Sequence, residues 1–182
     1  MGKVVNPAEL FESADQRQYL TFSLGGEMFA VGILAVKEII EYGNVTPVPM
    51  MPECIRGVIN LRGAVVPVVD LACRFGRPAG AVTRRTCIVI IEIDAGGEQQ
   101  DVGVVVDAVS AVLEIRLEDV EPPPSFGTRI RTDFIQGMGK IEDRFVIILS
   151  VDKVLSLEDL SMLGRAAHSG REPAQVPAGV AA

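Results

Sequence analysis

Tryptophan is absent from this 182-residue chain, histidine occurs once, and the remaining aromatics are seven Phe and two Tyr. The single histidine, His168, lies in a small, Gly- and Pro-broken stretch. A His-dependent triad, an HExxH zinc site or a His general base would have no rigid frame there, so His168 is read as incidental. No GxxxxGK[ST] run exists and no GxGxxG opens a helix, which removes the common phosphate-cradling loops. Basic residues are outnumbered, 17 against 24 acidic ones, giving a formal net charge of −7 and an isoelectric point near 4.8. With so few aromatics to stack on bases, that balance argues against a nucleic-acid partner. No apolar run approaches the roughly 20 residues of a membrane-spanning helix, and the first thirteen residues lack the apolar stretch of an export signal. The three cysteines, Cys54, Cys73 and Cys87, are odd in number and form no CxxC pair. The expectation is free thiols in a reducing compartment, with Cys54 and Cys87 packed as small hydrophobes.

What is present is aliphatic. Hydrophobic residues make up 48% of the chain, and the mean hydropathy is +0.33. Val and Ile dominate, so the core is built from β-branched side chains, which favours strands. The length suits one domain or two small ones. Residues 1–16 and 164–182 are too polar or too Gly- and Pro-broken to hold a fold and are expected to be flexible.

Between them, residues 18–24 (QYLTFSL) alternate Tyr19 and Thr21 with Leu20, Phe22 and Leu24, then meet Gly25-Gly26. A Gly-Gly pair between strand-like runs marks a hairpin, with residues 27–31 as the return. A second hairpin is expected from residues 57–61 and 64–70 around Arg62-Gly63. A third comes from residues 85–94 and 99–106 around Gly96-Gly97, and a fourth from residues 137–140 and 144–150. Residues 45–48 carry Pro47 and suit a strand edge. Ser156-Leu-Glu-Asp159 has the pattern of a capping box and predicts a short helix to about residue 163.

These segments repeat. Ile55-x-Gly57 followed by Val65 is echoed by Ile135-x-Gly137 followed by Phe145, both offset by 80 residues. The stretch from Phe22 to Gly32 is echoed near Ile91 to Gly103, offset by 71. The difference is assigned to insertion material around Pro122–Gly127. Two halves follow, 17–75 and 85–163, joined by a linker at 76–84. Each can close a small five-stranded β-barrel, since closure removes exposed sheet edges, and a groove is expected between the two. The fold class is all-β with minor α.

Reactive constellations are sparse. Asp70, Asp107 and Asp152 each follow an apolar strand-like run, and recur once per unit rather than converging. They are read as caps of following helical turns, the alternative being a carboxylate set for acid–base or metal chemistry. Arg84-Arg85 is read as a solvated pair. Two features stand out. Arg62 sits on a tight turn in Asn60-Leu-Arg-Gly63, held outward either as a solubilising turn residue or as interface arginines are. Residues 33–41 (ILAVKEIIE) carry more apolar side chains than a short element needs to bury; Ile39 is assigned to the core, and Val36 and Glu38 stay open between core and contact surface.

Ile55-Arg-Gly57, the run Asn60-Leu-Arg-Gly-Ala-Val-Val-Pro-Val-Val-Asp-Leu71, the segment from Gly103 to Ser110 with Val112-Leu113, and the C-terminal capped helix together resemble CheW-type coupling proteins of bacterial chemotaxis. The resemblance spans residues 17–163. It implies two tandem SH3-like β-barrel subdomains with a short C-terminal helix, no enzymatic activity, no cofactor and no metal. It also implies an adaptor role between the cytoplasmic hairpin tip of transmembrane chemoreceptors and the regulatory domain of the histidine kinase CheA. Val36, Glu38, Gly57 and Arg62 match the receptor-contacting positions, and Val109, Val112 and Leu113 resemble the kinase side. Such a protein is expected in the cytoplasm at the inner membrane face, with no direct membrane insertion, monomeric when free and part of arrays when assembled. A coupling protein for surface motility or second-messenger output, or a small Asp-based metal protein, is the alternative.

Overall fold

Gly25 and Gly26 hold φ of +59° and +82°, a conformation open to residues without a side chain, and they fold β1 (Gln16–Leu24) back onto β2 (Glu27–Gly32). The computed structural model describes residues 16–78, 80–123 and 130–156. The other three expected hairpins form at the predicted turns: β4 (Ile55–Leu61) with β5 (Ala64–Asp70), β6 (Cys87–Ala95) with β7 (Glu98–Val106), and β10 (Ile135–Ile141) with β11 (Arg144–Leu149). Three further strands complete the sheets: β3 (Val36–Glu41), β8 (Ala108–Arg116) and the two-residue β9 (Val120–Glu121). Among the described residues, helix is confined to α1 (Leu71–Arg74), α2 (Val151–Val154) and short 3₁₀ turns at Ile33–Ala35, Leu117–Asp119 and Thr132–Phe134. The helix expected to run on to residue 163 lies beyond Ser156, outside the described residues, as do His168 and nearly all of the two ends expected to be flexible.

The strands form two sheets, β8-β1-β2-β11-β10-β9 and β3-β6-β7-β5-β4. Each contributes one SH3-like barrel, so the tandem-barrel architecture holds, but the barrels do not follow the halves 17–75 and 85–163. Barrel one combines β1 and β2 with β8 to β11; barrel two takes β3 to β7. After each Gly-Gly hairpin the next strand crosses over: β3 leaves β2 to pair with β6, and β8 leaves β7 to pair with β1. Parallel pairing finishes each barrel, β11 beside β2 and β5 beside β7. Residues 76–84 therefore connect two elements of barrel two and do not link the barrels. Barrel one also has a sixth strand, β9, where barrel two has only a bridge from Thr46 to Val58. That bridge is the edge element expected near Pro47.

Strand order and register make the two barrels equivalent under the exchange β3/β8, β6/β1, β7/β2, β5/β11 and β4/β10. The 80-residue echo survives as a structural correspondence: Val68 lies beside Gly103 as Ile148 lies beside Ala30. The Gly32–Gly103 match does not, because the β6–β7 hairpin is longer and sets Gly103 opposite the place of Ala30.

Alternating side chains serve two cores. Ile88 and Ile90 of β6 join Ile59, Val66, Val68 and Val105 inside barrel two. Tyr19, Ala30, Ile115, Val146 and Ile148 fill barrel one. The opposite faces of both sheets form a third, larger cluster: Leu20, Phe22, Leu24, Phe29 and Val31 against Val89, Ile91, Ile93, Val102, Val104 and Val106. Burial on both faces accounts for the near-continuous apolar runs. Rings step through this cluster from Phe22 to Phe29 to Phe75 to Phe134, with centroids 6.0, 5.4 and 6.2 Å apart. Buried Arg74 lies over Phe134 at 4.6 Å and donates from Nε to the Val154 carbonyl at 2.8 Å, tying α1 to the end of α2. The apolar groove expected between the barrels is thus occupied by the protein's own core.

Candidate functional site

Edge strand β3 and the β4–β5 turn stand at opposite ends of the sheet order, yet they meet. Glu38 pairs in register with Ile90, whose side chain belongs to the barrel-two core, so Glu38 points toward the barrel axis at its mouth. From the far end of the sheet, Arg62 Nη2 donates to Glu38 Oε2 at 2.7 Å. Arg62 is held for this by its own turn: its φ is +52°, and Asn60 Oδ1 accepts the Gly63 N–H at 2.9 Å. The Arg62 side chain remains 82% exposed while Glu38 is 25% exposed. One donor geometry is used, and the rest of the guanidinium faces solvent.

The other two residues singled out on this side stand apart from the ion pair. Val36 opens β3 half-buried against the inter-barrel core. Gly57 is buried at the far end of β4 from the turn, at a bulge. A Cβ at Gly57 would overlap the Thr46 carbonyl and lie 2.7 Å from its carbon, so glycine is required by backbone approach. Ile39, assigned to the core by its sequence, is instead 43% exposed, because the bulge between Val36 and Glu38 turns Ile40 into the barrel core. Leu34 at 90% and Val65 at 74% exposure are apolar side chains left in solvent. Leu34 belongs to the 33–41 run noted for its excess of apolar residues, and Val65 was not singled out, since an unbroken apolar run gave no sign of which face it occupies.

On barrel one, β8 occupies the place of β3. Val109 faces Phe22 of β1 as Val36 faces Ile91 of β6, Val112 faces Leu20 as Ile39 faces Val89, and Leu113 faces Tyr19 as Ile40 faces Ile88. Both pairings carry a bulge at the same step. Exposure follows: Val109 packs on the inter-barrel core as Val36 does, and Val112 is 49% exposed, close to Ile39. The chemistry differs. Ala111 stands in the place of Glu38, and Glu142, also at positive φ, in that of Arg62. An ion pair across this mouth cannot form.

The three aspartates have separate structural duties. Asp70 is the N-cap of α1, accepting from Cys73 N at 3.3 Å, and also binds Arg56 at 2.8 Å. Desolvation opposes the Arg56 charge, but hydrogen bonds to Tyr42 and Asp70 outweigh it and raise the pKa above the ordinary value. Asp107 caps no helix: β8 follows it, and its Oδ2 accepts the Gly25 N–H at 2.8 Å, buttressing the β1–β2 turn. Asp152 lies inside the first turn of α2, whose N-cap is Ser150. The capping reading therefore holds for Asp70 alone. Among the described residues no three His, Cys, Asp or Glu stand together in a way that could hold a metal ion.

The cysteines depart from expectation. Cys54 and Cys73 form a disulfide with Cα atoms 5.3 Å apart, and only Cys87 is free. The β4–β5 hairpin brings its own two ends together, which a separation of 19 residues does not reveal.

Two small SH3-like barrels thus carry matched edge strands that differ where β3 holds the Glu38–Arg62 ion pair and β8 has Ala111, with no set of side chains among the described residues arranged as a metal site. A CheW-like domain model matches residues 18–159. The chain is 34% identical to the chemotaxis protein CheW of Klebsiella aerogenes over 84% of its length and 90% of that protein's. It is 36% identical to CheW of Rhizobium meliloti over 79% and 90% of the two chains. Among solved structures, the scaffolding protein TtCheW of Thermoanaerobacter tengcongensis matches with a TM-score of 0.69 and 36% identity, covering 76% of this chain and 86% of that one. The chain belongs to the CheW-like domain family.

Proposed function

We propose that this protein is a non-catalytic adaptor that couples transmembrane chemoreceptors to the histidine kinase CheA on the cytoplasmic side of the membrane. In this reading Glu38 and Arg62 at the mouth of barrel two receive the receptor hairpin tip, with Val36 half-buried at the start of the same edge strand and Gly57 shaping the strand beneath. The β8 edge of barrel one, with Val109, Val112 and Leu113, docks on the kinase regulatory domain.

The observation that carries the reading is the equivalence of β3 and β8. Two matched edge strands that differ in chemistry, an ion pair at Glu38 on one and Ala111 in its place on the other, suit two different partners. Standard protein interfaces bury about 800 Å² per partner. An exposed Arg beside apolar side chains is a frequent binding hot spot, and spaced apolar anchors are how helices are gripped. Joining the partners on one body raises their effective concentration, and repeated contacts extend into an array. Receptor states would then act on the kinase by shifting populations of packed arrangements.

The test uses a receptor hairpin fragment and the isolated kinase regulatory domain. Arg62→Ala is expected to weaken only the receptor fragment, and Val112→Asp only the kinase domain. A variant that loses both partners while keeping its circular dichroism spectrum would contradict separate faces.

A further inference from the structure

Cys54 immediately precedes β4, and Cys73 lies in α1 immediately after β5, so their disulfide closes a loop containing the whole β4–β5 hairpin, Gly57 and Arg62 included. We infer that Cys54 and Cys73 are a reversible thiol–disulfide modification site whose state sets how firmly this hairpin is held at its base.

Two observations support reversibility. The bond is not the sole tie at the hairpin base: Asp70 N donates to the Cys54 carbonyl at 2.7 Å, Asp70 takes the Cys73 N–H, and Arg56 pairs with Asp70. The two residues also differ in exposure, Cys54 being buried and Cys73 half-buried at the cluster's edge. Cys73 is the sulfur an outside reagent reaches, and Cys54 is the resolving partner behind it.

The reagent class is a low-molecular-weight disulfide such as oxidised glutathione. The Cys73 thiolate attacks one of its sulfurs, forming a mixed disulfide and expelling one glutathione thiolate. The Cys54 thiolate then attacks the Cys73 sulfur and expels the second. The protein pair loses two electrons, the small disulfide gains them, and the two thiol protons end on the two glutathiones. Glutathione in excess runs the sequence backwards. The choice of a thiol-reducing medium rests on the cytoplasmic placement proposed above, where disulfides that form are mostly transient or redox-sensing.

Full-length protein equilibrated across glutathione buffers and then alkylated tests this without any partner, so its failure is separate from failure of the adaptor reading. Three alkylated thiols are expected under reducing conditions and one, Cys87, under oxidising conditions, with a Cys54–Cys73 linked peptide. The change should reverse on returning the buffer. Amide exchange over residues 55–70 is expected to be about a hundredfold slower in the oxidised form, because closing a loop of this size restricts its opened states. Cys73→Ser should exchange at the reduced rate in every buffer, and Cys87→Ser should behave as wild type. A bond that persists in millimolar glutathione while the protein stays folded, a disulfide through Cys87, or equal exchange rates in the two forms of the wild type would overturn the inference.

Discussion

Arg62 Nη2 reaches Glu38 Oε2 at 2.7 Å across the mouth of barrel two, joining the two ends of a five-stranded sheet. With Arg62 this exposed, the pair adds about 0–1 kcal/mol to stability. Arg62→Ala should therefore shift the denaturant midpoint little and yet weaken receptor-tip binding tenfold or more, read by titration calorimetry. The charge-reversed double variant Glu38→Arg/Arg62→Glu separates the roles: it should recover any lost stability without recovering binding.

Gly57 is a backbone requirement. Gly57→Ala forces the Cβ against the Thr46 carbonyl and should cost about 2 kcal/mol or more, seen as a lowered midpoint in urea. Receptor binding by the fraction that remains folded should be weakened less than by Arg62→Ala.

Asp70 serves a guanidinium and a helix start together. Asp70→Ala leaves Arg56 half-buried without its carboxylate and should cost about 3 kcal/mol. Adding Arg56→Leu should cost less than the sum of the single changes, since the orphaned charge is then removed. Additive losses in the double variant would count against the coupling.

Lys37 bridges Glu92 at 2.6 Å and Asp101 at 2.9 Å, and its pKa is raised above 10.5 chiefly by the hydrogen bond to Glu92, then by that to Asp101. A cation with a raised folded-state pKa stabilises fully below its unfolded value, and that contribution fades as pH rises through the higher folded one. The melting-temperature difference between wild type and Lys37→Met should be constant from neutral pH to about 9 and shrink above 10.5.

Three of the four hairpins were readable in the sequence because Gly25-Gly26, Arg62-Gly63 and Gly96-Gly97 encode turns within a few residues, and the fourth was readable from the two strand-like runs that flank its turn. Assignment of strands to barrels was not, because β3 and β8 cross to the other barrel through pairings with β6 and β1 that no local pattern specifies. The same exchange hid the equivalence of Val36 with Val109 and of Ile39 with Val112, and a bulge reversed the faces of Ile39 and Ile40. Glu38 and Arg62 were each singled out, but their contact depends on barrel closure. Cys54 and Cys73 meet only because a hairpin returns the chain to its starting point.

The most direct test of the two-face account is to titrate the kinase regulatory domain into protein already saturated with a receptor hairpin fragment. The account predicts a ternary complex and a kinase-domain affinity within about threefold of that for the free protein, since faces that do not overlap share no contacts. Displacement of the receptor fragment by the kinase domain would contradict it.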